Sequence, residues 1–134
     1  MAFRQNISSG APWEALVGYS RAVRVGQTVH VSGTVASDEA GQVVGPGDPY
    51  TQAVYILRKI ETALAQAGAT LGDVVRTRLY VTDMGRWQDV TRAHAEVFAT
   101  IRPAATLVAV AALIGPEYLV EIEVDAVIGA DEGG

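Results

Sequence analysis

Residues 73–83, "DVVRTRLYVTD", alternate in character with a period of two, and their reading decides the fold. Val75, Thr77, Leu79 and Val81 fall on one side of an extended chain, with Arg76, Arg78, Tyr80 and Thr82 on the other. That is the pattern of a half-buried strand. Helical periodicity stands on either side of it. Upstream, Ala53, Leu57, Ile60, Leu64 and Ala67 recur at steps of three and four residues, which predicts a helix over 49–67. Asp48 and Pro49 suit its N-cap and first turn, and Gly68 supplies the stop. Downstream, Trp87, Val90, His94 and Val97 repeat the helical spacing over 86–100.

Strands frame these helices. In "AVRVGQTVHVSGTVA" (22–36), two short alternating runs meet at Gly26-Gln27, which predicts a hairpin with a type II′ turn. The turn-rich "DEAGQVVGPGDPY" (38–50) leaves room for a brief strand at Gln42–Val44. Two further strands are expected at Ala104–Val110 and Leu119–Ile128, joined by the turn "LIGPEY", and the tail at 129–134 is expected to fray. The simplest architecture is α+β: one mixed sheet with two helices on one face and a right-handed crossover between parallel strands. The other sheet face is then left open. Its Val, Ile and Ala content predicts that further copies of the chain cover it.

Length and composition bound the rest. The 134 residues make a single domain, 1–134, and 49% hydrophobic against 19% charged residues describe a globular chain. Absence of cysteine excludes disulfides, thiolate catalysis and Cys-ligated zinc. The longest apolar block, Ala104–Gly115, is too short to span a bilayer, and the N-terminus lacks the pattern of a signal peptide. A cytoplasmic location is expected, with no membrane partner. A net charge of −5 without a basic cluster disfavours nucleic acid.

Glu121, Glu123 and Asp125 share one face of the last strand, opposite Ile122, Val124 and Ala126. Either cations such as Arg76 and Arg78 neutralise these carboxylates, or at least one is perturbed enough to work as an acid or base. His30 shares a strand face with Thr28 and Ser32, an arrangement better suited to a hydrogen-bonded pair than to a nucleophile, since no G-x-S-x-G elbow is present. His94 falls in an apolar helical stripe, and two histidines give no metal-ligand spacing. "GPGDPY" lacks the Lys-Ser/Thr of a phosphate loop.

Three stretches together resemble the RidA (YjgF) reactive-intermediate deaminases: "GYSRAVRVGQTVHVSGTVA", "ALAQAGATLGDVVRTRLYVTDMGRWQDV" and "RPAATLVAVAAL…LVEIEVDAV". The similarity runs from about residue 17 to 128. It implies a chorismate-mutase-like α+β fold and a homotrimer with clefts between subunits. It also implies hydrolysis of imines or enamines to a carbonyl compound and ammonia, without metal or cofactor. Matched onto this sequence, the family's site falls on Tyr19, Ser32, Gly33 and the carboxylate of Glu121. Thr91, Ala105, Thr106 and Leu107 complete the expected lining.

One departure stands out. Where the family reads Pro-x-Arg to seat a substrate carboxylate, this chain reads Pro103-Ala104-Ala105. Thr91 replaces a common Asn. Arg102 lies three residues from Ala105 and is expected on the opposite face, while Arg76 and Arg78 are as well placed to neutralise Glu123 or Asp125. A charge-assisted contact of this kind contributes about 1.5–3 kcal/mol, one to two orders of magnitude in binding. Glu121 is therefore expected without a positive neighbour, in a cleft that disfavours small 2-imino acids. The implied activity is hydrolysis of a different imine or enamine. The alternatives are a non-catalytic trimer binding a metabolite or protein and, against the acidic charge, a ribonuclease or translation inhibitor.

Overall fold

The alternating stretch becomes β4 (Val74–Val81), flanked by a parallel β5 (Ala104–Ala109) and an antiparallel β6 (Val120–Val127) in a computed structural model that describes residues 3–132. β1 (Arg4–Ile7), β2 (Ala22–Val25) and β3 (Thr28–Thr34) extend the sheet in the order β1-β2-β3-β6-β4-β5. The β2–β3 hairpin turns through Gly26-Gln27 with Gly26 at φ 59° and Gln27 not in the positive-φ region, as a type II′ turn requires. The short α1 (Pro12–Val17) follows β1; α2 (Pro49–Gln66) links β3 to β4; α3 (Trp87–Phe98) is the crossover between parallel β4 and β5.

Local chemistry sets the limits of α2. Asp48 accepts a hydrogen bond from Thr51 N at 3.2 Å and another from the Thr51 hydroxyl at 2.7 Å, with Pro49 at the first helical position. Its apolar stripe (Ala53, Ile56, Leu57, Ile60 and Leu64) packs with Val90, Ala93 and Phe98 of α3 over Val29, Val31, Leu79, Ile122 and Val124 of the sheet. Each such large side chain contributes about 1.5–3 kcal/mol through burial. Gln52 lies wholly inside this layer with its amide satisfied: Nε2 donates to Gly45 O and Glu117 O, and Oε1 accepts from Leu119 N.

The structure corrects several expectations. β1 and α1 were not anticipated. Val75 is 41% exposed and Val74 takes its place in the core, because the β4–β6 register slips by one residue between Val74 and Arg76. Trp87, at the very start of α3, is 44% exposed rather than part of the packed stripe. Gln42–Val44 forms only an isolated bridge, Ser37 to Val43. The tail does not fray at once: Gly129 N and Asp131 N both donate to Asp73 Oδ1, and residues 133–134 lie outside the described residues.

The open sheet face also differs in kind. The strands' buried Val, Ile and Ala face the helices, while the open face carries His30, Arg76, Arg78, Tyr80 and the acidic row. Exposed apolar surface lies instead along the edge strand β5 and on α1, at Trp13, Leu16 and Val17. Among the described residues, no helix is long and apolar enough to cross a membrane.

Candidate functional site

Three carboxylates project from one face of β6, and among the described residues two of them have hydrogen-bond partners. Asp125 accepts from His30 Nδ1 at 2.7 Å and from Arg78 Nη1 at 3.2 Å. Glu123 accepts from the Tyr80 hydroxyl, a bond that pushes the phenol's pKa up. Among the described residues, Glu121 accepts no hydrogen bond. Burial raises the Glu121 pKa, Arg21 opposes that rise, and Glu123 adds to it.

Glu121 owes its place to a bulge. β3 slips by one residue against β6 between Val31 and Thr34, so Ser32 and Gly33 occupy an irregular step. The Glu121 carboxylate lies over that step: a methyl group on Gly33 would occupy the space of Glu121 Oε2 and come within 3.0 Å of its Cδ. The residues entering β2 hold the bulge. The Ser32 hydroxyl donates to Ser20 O at 2.7 Å, Ser32 N donates to Arg21 O at 3.0 Å, and Arg21 Nη2 donates to Gly33 O at 2.6 Å. Tyr19 is 37% exposed, with the Arg21 guanidinium carbon 6.0 Å from its ring centre. Tyr19, Ser20, Ser32, Glu14 and Asn6 line a shallow groove of about 500 Å³ on this side of the sheet.

The other expected residues stand elsewhere. Ala105 and Leu107 pair with Thr77 and Leu79, which puts their side chains on the helix side of β5. Thr91 is on α3, three residues before His94, whose Nε2 lies 2.9 Å from the Thr77 hydroxyl. Burial lowers the His94 pKa. Thr106 alternates to the open side and accepts from Arg76 Nη2 at 3.3 Å. Arg102 donates from Nε to Ala99 O at the end of α3. One chain thus brings Tyr19, Ser32, Gly33 and Glu121 together and leaves Ala105, Leu107 and Thr91 on the opposite side of the sheet.

Glu121 was expected to have no cation beside it, and Arg21 overturns that. The alternation Tyr19-x-Arg21 on the approach to β2 was the available signal, because residues two apart in an extended chain share a face. Its significance depends on β3, which becomes its neighbour only through the hairpin. Among the described residues, no group of three or more acidic or histidine side chains is placed to hold a metal ion.

Comparison with known proteins gives these positions a context. A family model described as Endoribonuclease L-PSP matches residues 9–128. An uncharacterized protein of Streptomyces coelicolor is 37% identical over 126 residues, 94% of this chain and 93% of that one. A RutC family protein of Pyrococcus abyssi is 33% identical over 106 residues, 78% of this chain and 82% of the relative. Among solved structures, Rv2704 of Mycobacterium tuberculosis, a member of the YjgF/YER057c/UK114 family, has a TM-score of 0.85 and 52% identity, covering 94% of this chain and all of its own. These matches place the chain in the RidA (YjgF) family.

Proposed function

We propose that the protein hydrolyses an imine or enamine other than a small 2-imino acid, without cofactor, in clefts formed between copies of the chain in a homotrimer. One observation carries this reading: among the described residues, Glu121 is the acidic side chain of β6 that no hydrogen bond engages, with its pKa raised by burial. In the proposed reaction its carboxylate takes a proton from water as the oxygen bonds to the imine carbon, and returns that proton to the imine nitrogen. Collapse of the carbinolamine then moves its hydroxyl proton to the nitrogen, breaks the C–N bond, forms the carbonyl and releases ammonia, leaving Glu121 ionised as it began. Tyr19, Ser32 and Gly33 would shape one wall, and Thr91, Ala105, Thr106 and Leu107 of another copy would supply the rest. Their separation across the sheet of one chain favours a shared cleft.

Position 105 supports the substrate class, because alanine offers nothing to pair with a carboxylate. The test is a panel of imines sorted by charge. Neutral or cationic members should turn over, and Glu121→Gln should slow them tenfold or more. Ala105→Arg should introduce or increase hydrolysis of 2-iminopropionate. Wild-type turnover of that acid at the rate of Arg-bearing relatives would refute the proposed class. A ligand that raises the melting temperature yet is recovered unaltered would favour a binding module instead. The matching family model's name raises ribonuclease activity, but a net charge of −5 and an acidic strand at the site favour the small-molecule reading.

A further inference from the structure

Arg21 touches the candidate site twice. Its carbonyl accepts from Ser32 N, and its guanidinium donates to Gly33 O, so one residue closes both halves of the β3 bulge. The bulge is the floor on which the Glu121 carboxylate rests, since Gly33 leaves open the space that Oε2 fills. We propose that Arg21 is the positioning residue of this site: it locks Ser32-Gly33 beneath Glu121 and supplies, from behind, the fixed positive charge that position 105 lacks. The inference deepens the hydrolase reading and rests on it for its catalytic meaning.

The surroundings fit a cation placed for a purpose. Among the described residues, Arg21 Nε is buried without a hydrogen-bond partner, a costly arrangement for a guanidinium that could otherwise reach water. Burial lowers the Arg21 pKa, but Tyr19, Glu14 and Glu121 oppose that change, and an arginine stays protonated in such settings. Glu14 is itself pinned: it is buried, and its carboxylate accepts from Ser9 N at 3.1 Å and from the Ser9 hydroxyl. Lys59, the other cation facing Arg21, is fully engaged by Val35 O, Ser37 O and the Ser37 hydroxyl. Two carboxylates, Glu14 and Glu121, therefore draw on one guanidinium from different elements. Glu121 is also faced by Glu123 on its own strand and by Tyr80 on β4. One of the five guanidinium N–H donors of Arg21 is committed to Gly33 O.

The test follows the Glu121 carboxyl directly by ¹³C NMR titration, with Glu121→Gln assigning the resonance. Arg21→Gln should move the Glu121 midpoint to higher pH, because the charge favouring its ionised form is gone. Glu14→Gln should move it to lower pH, because the competing carboxylate is gone. Opposite directions are the signature that a merely structural role would not give. An unchanged midpoint in a folded Arg21→Gln protein overturns the proposal, as does a Glu14→Gln shift to higher pH. If Arg21→Gln does not fold, Arg21→Lys, which keeps the charge, and Glu14→Gln decide it. No substrate is needed, so failure of every imine to react would remove the hydrolase reading and leave this result standing. Where turnover is found, Arg21→Gln should displace the acid limb of the pH–rate profile upward and lower kcat more than it changes KM.

Discussion

Glu121 burdens the folded protein, because burial disfavours its ionised form. A carboxyl whose folded pKa is raised binds its proton more tightly folded than unfolded. Stability is then lost as pH rises from the unfolded value of about 4.5 through the folded one, so a cost is present at pH 7. Glu121→Gln should therefore raise the melting temperature at pH 7, and the gain should vanish below about pH 4.5. A lower melting temperature at pH 7 would mean that the carboxylate is satisfied by contacts a single chain does not contain. Gly33→Ala probes the same seat. Its methyl would displace the Glu121 carboxyl, so turnover should fall tenfold or more while the circular dichroism spectrum is preserved. Alternation placed three acids on one face but could not say which stood alone. That distinction comes from His30, Arg78 and Tyr80, which lie on two other strands and engage Asp125 and Glu123.

At the level of elements, what repeats locally was readable in advance, and what depends on a distant neighbour was not. The N-cap at Asp48, the stripe of α2 and the Gly26-Gln27 turn follow from a few adjacent residues each. β1 is too short and mixed to announce itself, and it exists because β2 offers an edge to pair with. Insertion of β6 between β3 and β4 likewise follows no local pattern, although it brings Glu121 beside the bulge. Gln52 belongs with these unread features. It is one polar residue at the start of an amphipathic helix, and it staples α2 to the 115–119 turn that leads into β6. Gln52→Leu would remove the hydrogen bonds to Leu119 N, Gly45 O and Glu117 O. Each contributes about 0.5–1.5 kcal/mol, so a loss of about 2–4 kcal/mol in urea unfolding is expected. A loss below about 1 kcal/mol would show that the turn finds other partners.

Across the whole molecule, the sheet itself separates the two groups of candidate residues. Ala105 and Leu107 share the helix side of β5, while Glu121 and the Ser32-Gly33 bulge belong to the open side, and no side-chain motion carries one group through a hydrogen-bonded sheet to the other. A second copy can join them, provided that the edge strand of one chain approaches the bulge of another. β5 is suited to such an approach: it is an edge with Ala104, Ala105, Thr106, Val108 and Ala109 all exposed, and it carries no charge to repel a neighbour. The wild-type protein should then sediment as a trimer. Val108→Asp, which sets a carboxylate on that strand beside Tyr80, should yield a particle of roughly one third the mass, with an unchanged circular dichroism spectrum, because Val108 is 40% exposed in the single chain. Turnover should disappear along with assembly and return in mixtures in which wild-type β5 edges meet Val108→Asp bulges. A wild-type protein that sediments as a single chain and still hydrolyses imines would instead confine the chemistry to the Tyr19–Glu121 side of one subunit and remove Ala105 from it.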